Sequence, residues 1–228
     1  MESIPVKCEN KGYICYGELS VEFVTTDLLK IDNNLWKKYD FRTKPKFGVG
    51  AHINDPSRII HFYTNTLPLY WLLNSWTLNK SITIYRFSEC AFLFKWAEHL
   101  HSVLRDKGVE DGIIVKAMFV NLLPQCSIPI HKDNGICLGL VHRYHWVISS
   151  DSSVTFTVDG DTRHWSNGYI YELNNVLYHG VDNPSDTGRI HFIMDILPNK
   201  YITSDVIYKD ISPSEYSEME ELFTQKKL

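Results

Sequence analysis

His131 and Asp133 stand two residues apart in the run Ile130-His131-Lys132-Asp133. On an extended strand alternate side chains share a face, so this imidazole and this carboxylate can reach one metal ion together. His179, on a later strand-like stretch, can close a trio. Two imidazoles and one carboxylate on one side of an ion leave its other side open, which is the ligand set of non-haem Fe(II) oxygen-activating centres. An isolated His-x-Asp arises easily by chance. Here it is joined by a second histidine and by Arg189, all between Ile130 and Ile196, and the combination is much more specific.

The elements that must position these residues read as short strands separated by turn signals from Ile113 onward. Val115 to Leu123 is ended by Pro124-Gln125, and Ile128 to Asp133 by Asn134-Gly135. Leu138 to Ile148 follows. In Val154 to Val158 the residues Val154, Phe156 and Val158 share one face, opposite Thr155 and Thr157, and Asp159-Gly160-Asp161 is a turn. Tyr169 to Leu173, Val176 to Val181 and Arg189 to Leu197 complete the series. Many short strands at this spacing predict a mainly β sandwich or jelly roll.

Strand parity bears on the site. Arg143, His145 and Val147 share a face opposite Tyr144, Trp146 and Ile148; Arg189, His191, Ile193 and Asp195 share a face opposite Ile190, Phe192, Met194 and Ile196. An apolar core does not accommodate inward arginines and histidines without an anion to meet them. A guanidinium takes a carboxylate through two parallel hydrogen bonds, so Arg143 and Arg189 beside a metal trio suit a small dicarboxylate. Were these faces turned to solvent, the same residues would be ordinary surface positions.

Residues 1 to about 110 mix strand, loop and helix. Tyr13 to Phe23 is strand-like and Thr26 to Tyr39 predicts a short helix. From Ala91 to Lys107, Leu93, Trp96, Ala97, Leu100, Val103 and Leu104 recur at helical spacing before Gly108. His99 and His101 are expected on its solvated side, and they are not one turn apart, which argues against a metal pair. At the other end, Ser212, Pro213 and Glu215 predict a capped final helix.

Composition excludes several classes. With 228 residues, 44% hydrophobic and 22% charged, the chain can bury a substantial core and is not disordered. A net charge of -4 argues against a protein that coats nucleic acid. Cys8, Cys15, Cys90, Cys126 and Cys137 are odd in number and contain no Cys-x-x-Cys, as expected for reduced thiols. The N-terminus has no apolar run, and the charge-free stretch from Ile59 to Asn79 is too polar to span a membrane. A cytoplasmic protein without a membrane partner is expected; oligomeric state is open.

Leu122 to Pro198 resembles the aspartyl/asparaginyl β-hydroxylase family of Fe(II)- and 2-oxoglutarate-dependent oxygenases. The matching pieces are LLPQCSIPIHKD, LVHRYHWVI, VDGDTRHWSNGYIYELNN, LYHGVDNPS and GRIHFIMDILP. The resemblance implies a double-stranded β-helix, a cupin-like jelly roll, with supporting helices mostly in the N-terminal part. It implies that His131, Asp133 and His179 bind iron, and that some animal members lack the acid. Arg189 matches the arginine that pairs with the distal carboxylate of 2-oxoglutarate, and Arg143 and His145 match a basic pair facing that co-substrate. Pro124-Gln125 departs from the family's frequent Pro-Gly. The implied reaction consumes O2 and 2-oxoglutarate and hydroxylates a C–H bond of an amino-acid-type substrate, free or in a peptide or protein. On this reading 1–228 is one oxygenase domain: a mixed α/β part (1–110) flanking the site, a jelly-roll core (111–200) with the metal, and a tail (201–228) with a helix.

Other residues read more simply as structure. Trp165 is expected to pack, His164 and His142 to lie at the surface or a strand edge, and Asn183 to stabilise a turn. For His191 a structural hydrogen bond and a co-substrate contact weigh equally. His52 and His61 carry no assignment, and Trp71 and Trp76 read as core or lid aromatics. Three rival readings stand. A non-oxygenase metal-binding cupin would share the trio but has no reason to keep Arg143 and Arg189 facing it. An oxygenase of the same chemistry could act on another small molecule or on nucleic acid bases, the latter wanting a basic groove, against the acidic balance. A jelly-roll interaction protein with a decayed site would not keep the trio intact.

Overall fold

A computed structural model of the protein describes residues 11–39, 63–72, 81–133, 136–212 and 215. His52, His61, Trp76 and the expected Asn134-Gly135 turn lie outside them. The larger of two sheets runs β1 (Tyr13–Glu18), β9 (Tyr169–Leu173), β6 (His142–Ser149), β11 (Arg189–Pro198), β4 (Gly112–Leu122), β2 (Thr64–Leu72), β3 (Ile82–Phe87) and β12 (Val206–Ile211). The smaller runs β5 (Cys126–His131), β10 (His179–Asn183), β7 (Thr155–Val158) and β8 (Asp161–Arg163). From β4 to β11 the chain passes between them repeatedly, with β4, β6, β9 and β11 in the larger sheet and β5, β7, β8 and β10 in the smaller. That alternation is a jelly roll of the double-stranded β-helix type, cupin-like, with its sheets left open and not closed into a barrel.

The larger sheet is covered on both faces. Outer residues Tyr144, Trp146, Phe192, Met194 and Ile196 share a core with Ala97, Leu100 and Leu104 of helix α3 (Phe94–Asp106). Inner residues Leu122, Val147, Tyr171 and Leu173 pack with Ile128, Phe156, Val158 and Val181 of the smaller sheet. The strand faces read from sequence are therefore both buried, and Arg143, His145, Arg189, His191 and Asp195 all lie inside. Trp165 packs, as expected: it stacks on Phe156 at 4.0 Å and Tyr171 at 4.4 Å. At the β7–β8 turn Asp159 and Gly160 both have positive φ (50° and 83°), as the tight hairpin connection requires.

Several expectations are corrected. Thr26 to Tyr39 is not one helix: α1 (Glu22–Leu28) takes the end of the stretch read as strand, and α2 (Asn33–Lys38) restarts where the Asp32 side chain accepts the amide of Asn34. Leu138 to Leu140 belongs to a short helix, α4 (Ile136–Leu140), because continuous apolar runs do not distinguish a buried helical turn from a strand. Val176 to Tyr178 precedes β10 as a turn, in which the amide of Leu177 donates to Asn174 O. His101 is mostly covered, its side chain only 16% exposed beside Asp111. Strand β12 was not anticipated; it pairs in parallel with β3 and its residues lack clean alternation. The capping box forms, with the Ser212 amide donating to Glu215 Oε2 at 2.7 Å and the Glu215 amide to Ser212 Oγ. The helix expected beyond it lies outside the described residues, of which no helix is long and apolar enough to cross a membrane.

Cys90 is fully buried under the start of α3, and burial, aided by the Glu89 charge, pushes its thiol up to about 12. Cys15 is exposed on β1. A native-state pulse of iodoacetamide should label Cys15 and spare Cys90 until denaturant is added, as read by peptide mass spectrometry. Equal labelling of the two would contradict the packing of this layer.

Candidate metal centre

Strands β5 and β10 pair antiparallel with His131 directly opposite His179, and the two rings lie 4.4 Å apart between centroids. Each imidazole contacts the carbonyl two residues before it: His131 Nδ1 meets Pro129 O at 2.8 Å and His179 Nδ1 meets Leu177 O at 2.9 Å. A carbonyl only accepts, so both protons sit on Nδ1 and both Nε2 lone pairs are left for an ion. Burial, reinforced by His131 and Arg143, brings His179 down to about 4 against the opposing charge of Asp133, so its ring is neutral near pH 7.

Asp133 arrives differently from the sequence reading. The expected strand from Ile128 to Asp133 ends at His131, so alternation along a strand does not orient this carboxylate. Its amide instead donates to Asn175 O at 3.1 Å, and its Oδ2 accepts from Arg143 Nη1 and, at 3.4 Å, from Asn175 Nδ2. Oδ1 lies 3.8 Å from His131 Nε2. One ligand atom from each of His131, Asp133 and His179 falls within 4.8 Å of the others, close enough to share an ion. Burial would raise the Asp133 pKa, but the Arg143 charge outweighs it and holds the carboxyl well below its usual range.

The other inward groups form two clusters. Arg143 donates through Nε and Nη2 to Asp195 Oδ1 and Oδ2, both at 2.7 Å. Further along, Arg189 Nε donates to His191 Nε2 at 3.0 Å and its guanidinium lies 5.4 Å from the centre of the Phe156 ring. His145 Nδ1 is 3.3 Å from His191 Nδ1, while His145 Nε2 is buried with no hydrogen-bond partner among the described residues. Burial, then the Arg189 charge, hold both rings far below the ordinary histidine pKa, so both are neutral. Arg143, Arg189, His179 and Asp133 all act electrostatically on His145.

Of the residues singled out from sequence, the fold brings His131, Asp133 and His179 together, sets Arg143 against Asp133, and links His145 to Arg189 through His191. Arg143, expected to face a co-substrate, directs these donors to Asp195 and Asp133. Asp195 and Asn175 were given no role by sequence reasoning. Asp195 shared the inward parity of Arg189, which was the available signal, whereas Asn175 sits in a loop without periodicity. His142 binds the buried carboxylate of Glu172 at 2.6 Å, and His164 meets Val154 O at 3.0 Å, away from the trio. Asn183 is fully buried and organises the β10–β11 turn, donating to Leu123 O and Thr187 O.

Residues 88–198 match the model of the family described as aspartyl/asparaginyl beta-hydroxylase. Over this segment the chain is similar to that family. The match runs from the turn before α3 to the end of β11, so the matched segment contains the trio, Arg143, His145, Arg189 and Asp195. No curated protein matches the chain. Among solved structures it is similar to a predicted oxalate decarboxylase of Thermotoga maritima, at 15% identity and TM-score 0.31 over 37% of this chain and 67% of that one. It is also similar to a cupin 2 conserved barrel domain protein of Salinispora arenicola, at 15% identity and TM-score 0.30 over 38% and 66%. A cupin domain of Bordetella pertussis matches at 19% identity and TM-score 0.29 over 38% and 84%. The chain thus spans about two thirds of the first two.

The two histidines stay opposed only while β5 and β10 approach closely at Gly180. A Cβ there would lie 2.9 Å from Ile128 O and 3.1 Å from Ile130 N, backbone atoms that cannot swing aside. Gly180→Ala should therefore spread the strands and weaken divalent metal binding by about tenfold or more, measured by isothermal titration. Unchanged affinity would show that the strand spacing does not set the site.

Proposed function

We propose that the protein is an Fe(II)- and 2-oxoglutarate-dependent dioxygenase that hydroxylates a C–H bond of an amino-acid-type substrate, free or within a peptide or protein. The observation that carries the reading is the convergence of two Nδ1-protonated imidazoles and one carboxylate oxygen, with inward-facing cationic side chains beside them. This donor set fits Fe(II): neutral nitrogen and hard oxygen ligands from one side, with the remaining positions open. The cytoplasmic placement is part of the reading, in keeping with the free thiols of Cys15, Cys90 and Cys126.

His131, His179 and Asp133 would hold the ion. With 2-oxoglutarate it would supply oxygen activation, the co-substrate and O2 becoming succinate and CO2 as one oxygen atom enters the substrate C–H bond. The protein's own work is orientation. The Pro129 and Leu177 carbonyls keep Nε2 of each histidine unprotonated. Arg189, buried and in contact with neutral His191, is the cation suited to the distal carboxylate of the keto-acid. His145 presents to the same interior an Nε2 that has no hydrogen-bond partner among the described residues. The interior holds two carboxylates, Asp133 and Asp195, and two guanidinium groups, Arg143 and Arg189, so a bound divalent cation leaves it net positive, which suits a dianionic keto-acid.

Purified protein should form succinate from 2-oxoglutarate only with Fe(II) and O2 present, and chelation should stop it. His131→Ala, Asp133→Ala and His179→Ala should each abolish that turnover; normal rates in these variants would refute the metal assignment. Arg189→Ala should retain iron while raising the KM for 2-oxoglutarate on the order of 10- to 100-fold, as for loss of a charge-assisted hydrogen bond. Loss of iron with co-substrate affinity intact would contradict its role.

A further inference from the structure

Asp195 and Arg143 form a direct cross-strand pair between β11 and β6, buried at 1% and 8% exposure. The two parallel contacts fix the plane of the guanidinium, and that plane determines where its remaining nitrogen points. It points at Asp133 Oδ2. Asp133 needs this help, because β5 has already ended at His131 and no strand geometry aims the carboxylate. The register between β11 and β4 also shifts immediately after Asp195, an irregularity of the kind that re-aims a side chain. Asn175, fully buried, holds the same Oδ2 and the Asp133 amide.

We propose that Asp195 is a positioning residue for the metal-ligating carboxylate: it clamps Arg143, and Arg143 fixes Asp133 so that Oδ1 is the oxygen offered to the ion. Arg143 therefore serves the metal ligand and not the co-substrate, which separates it in role from Arg189. Asp195 itself touches neither ion nor substrate. The inference rests on the metal-centre reading given above and adds to it a residue three contacts removed from the ion.

Zn(II) affinity, measured by competition with a chromophoric chelator in the absence of 2-oxoglutarate, tests it; Zn(II) is bound more tightly than Fe(II), so residual affinity stays measurable. Asp195→Asn should weaken Zn(II) binding about 10- to 100-fold. In an Asp133→Ala background the same substitution should change affinity by less than about twofold, because Asp195 acts only through Asp133. The same loss in both backgrounds, or no loss in either, overturns the proposal. Arg143→Lys keeps the charge but cannot bridge two carboxylates, and it carries the test if Asp195→Asn does not fold by circular dichroism. It should weaken Zn(II) binding comparably. Retained Zn(II) affinity with weakened 2-oxoglutarate binding would make Arg143 a co-substrate anchor and sink the idea. A wild-type protein that binds no Zn(II), or binds it equally after His179→Ala, would refute the metal centre itself.

Discussion

Charge buried between two sheets must be met by charge or by a polar or aromatic partner, and that constraint organises the interior of this protein. Arg143, Arg189, His145, His191 and Asp195 all point into the space that the sheets enclose. An isolated ion there would cost several kcal/mol, a large share of a domain's total stability. The arrangement that results is a chain of mutual compensation. Asp195 meets Arg143, Arg143 meets Asp133, and Asp133 faces the two histidines. Breaking any link leaves a buried charge exposed to its own desolvation penalty, so the polar interior is held in one geometry.

The same interval between the sheets is apolar elsewhere. Leu122, Val147 and Leu173 close against Ile128, Phe156 and Val181, with Trp165 stacked among the aromatics. Phe156 belongs to both regions: one ring lies beneath the Arg189 guanidinium and against the indole of Trp165. Rigid packing on one side of the polar cluster gives the ligands on the other side little freedom to drift. The outer face of the larger sheet contributes in the same way, since α3 and its neighbours pack against the strands that carry Arg143 and Asp195.

The partners of the two arginines are what the sequence reading did not supply. Both lie on inward strand positions, both are buried, and both were expected to face a co-substrate. Their partners separate them. Arg143 is held by two carboxylates, whereas Arg189 contacts a neutral imidazole and an aromatic face. A side chain's type and parity set which face it occupies, but its partner depends on which strand lies next to its own.

By itself, the sequence determined the alternation that makes these strands two-faced, the tight Asp159-Gly160 turn, the Gly108 stop of α3 and the Ser212 capping box. These are local: they depend on residues a few positions apart and on the periods of helix and strand. The tertiary structure decided the register that sets His131 opposite His179, the pairing of Asp195 with Arg143, the loop that brings Asn175 to Asp133, and the addition of β12 beside β3. Each joins residues far apart in the chain, and such pairings follow from packing and loop closure over the whole fold, which no local pattern encodes.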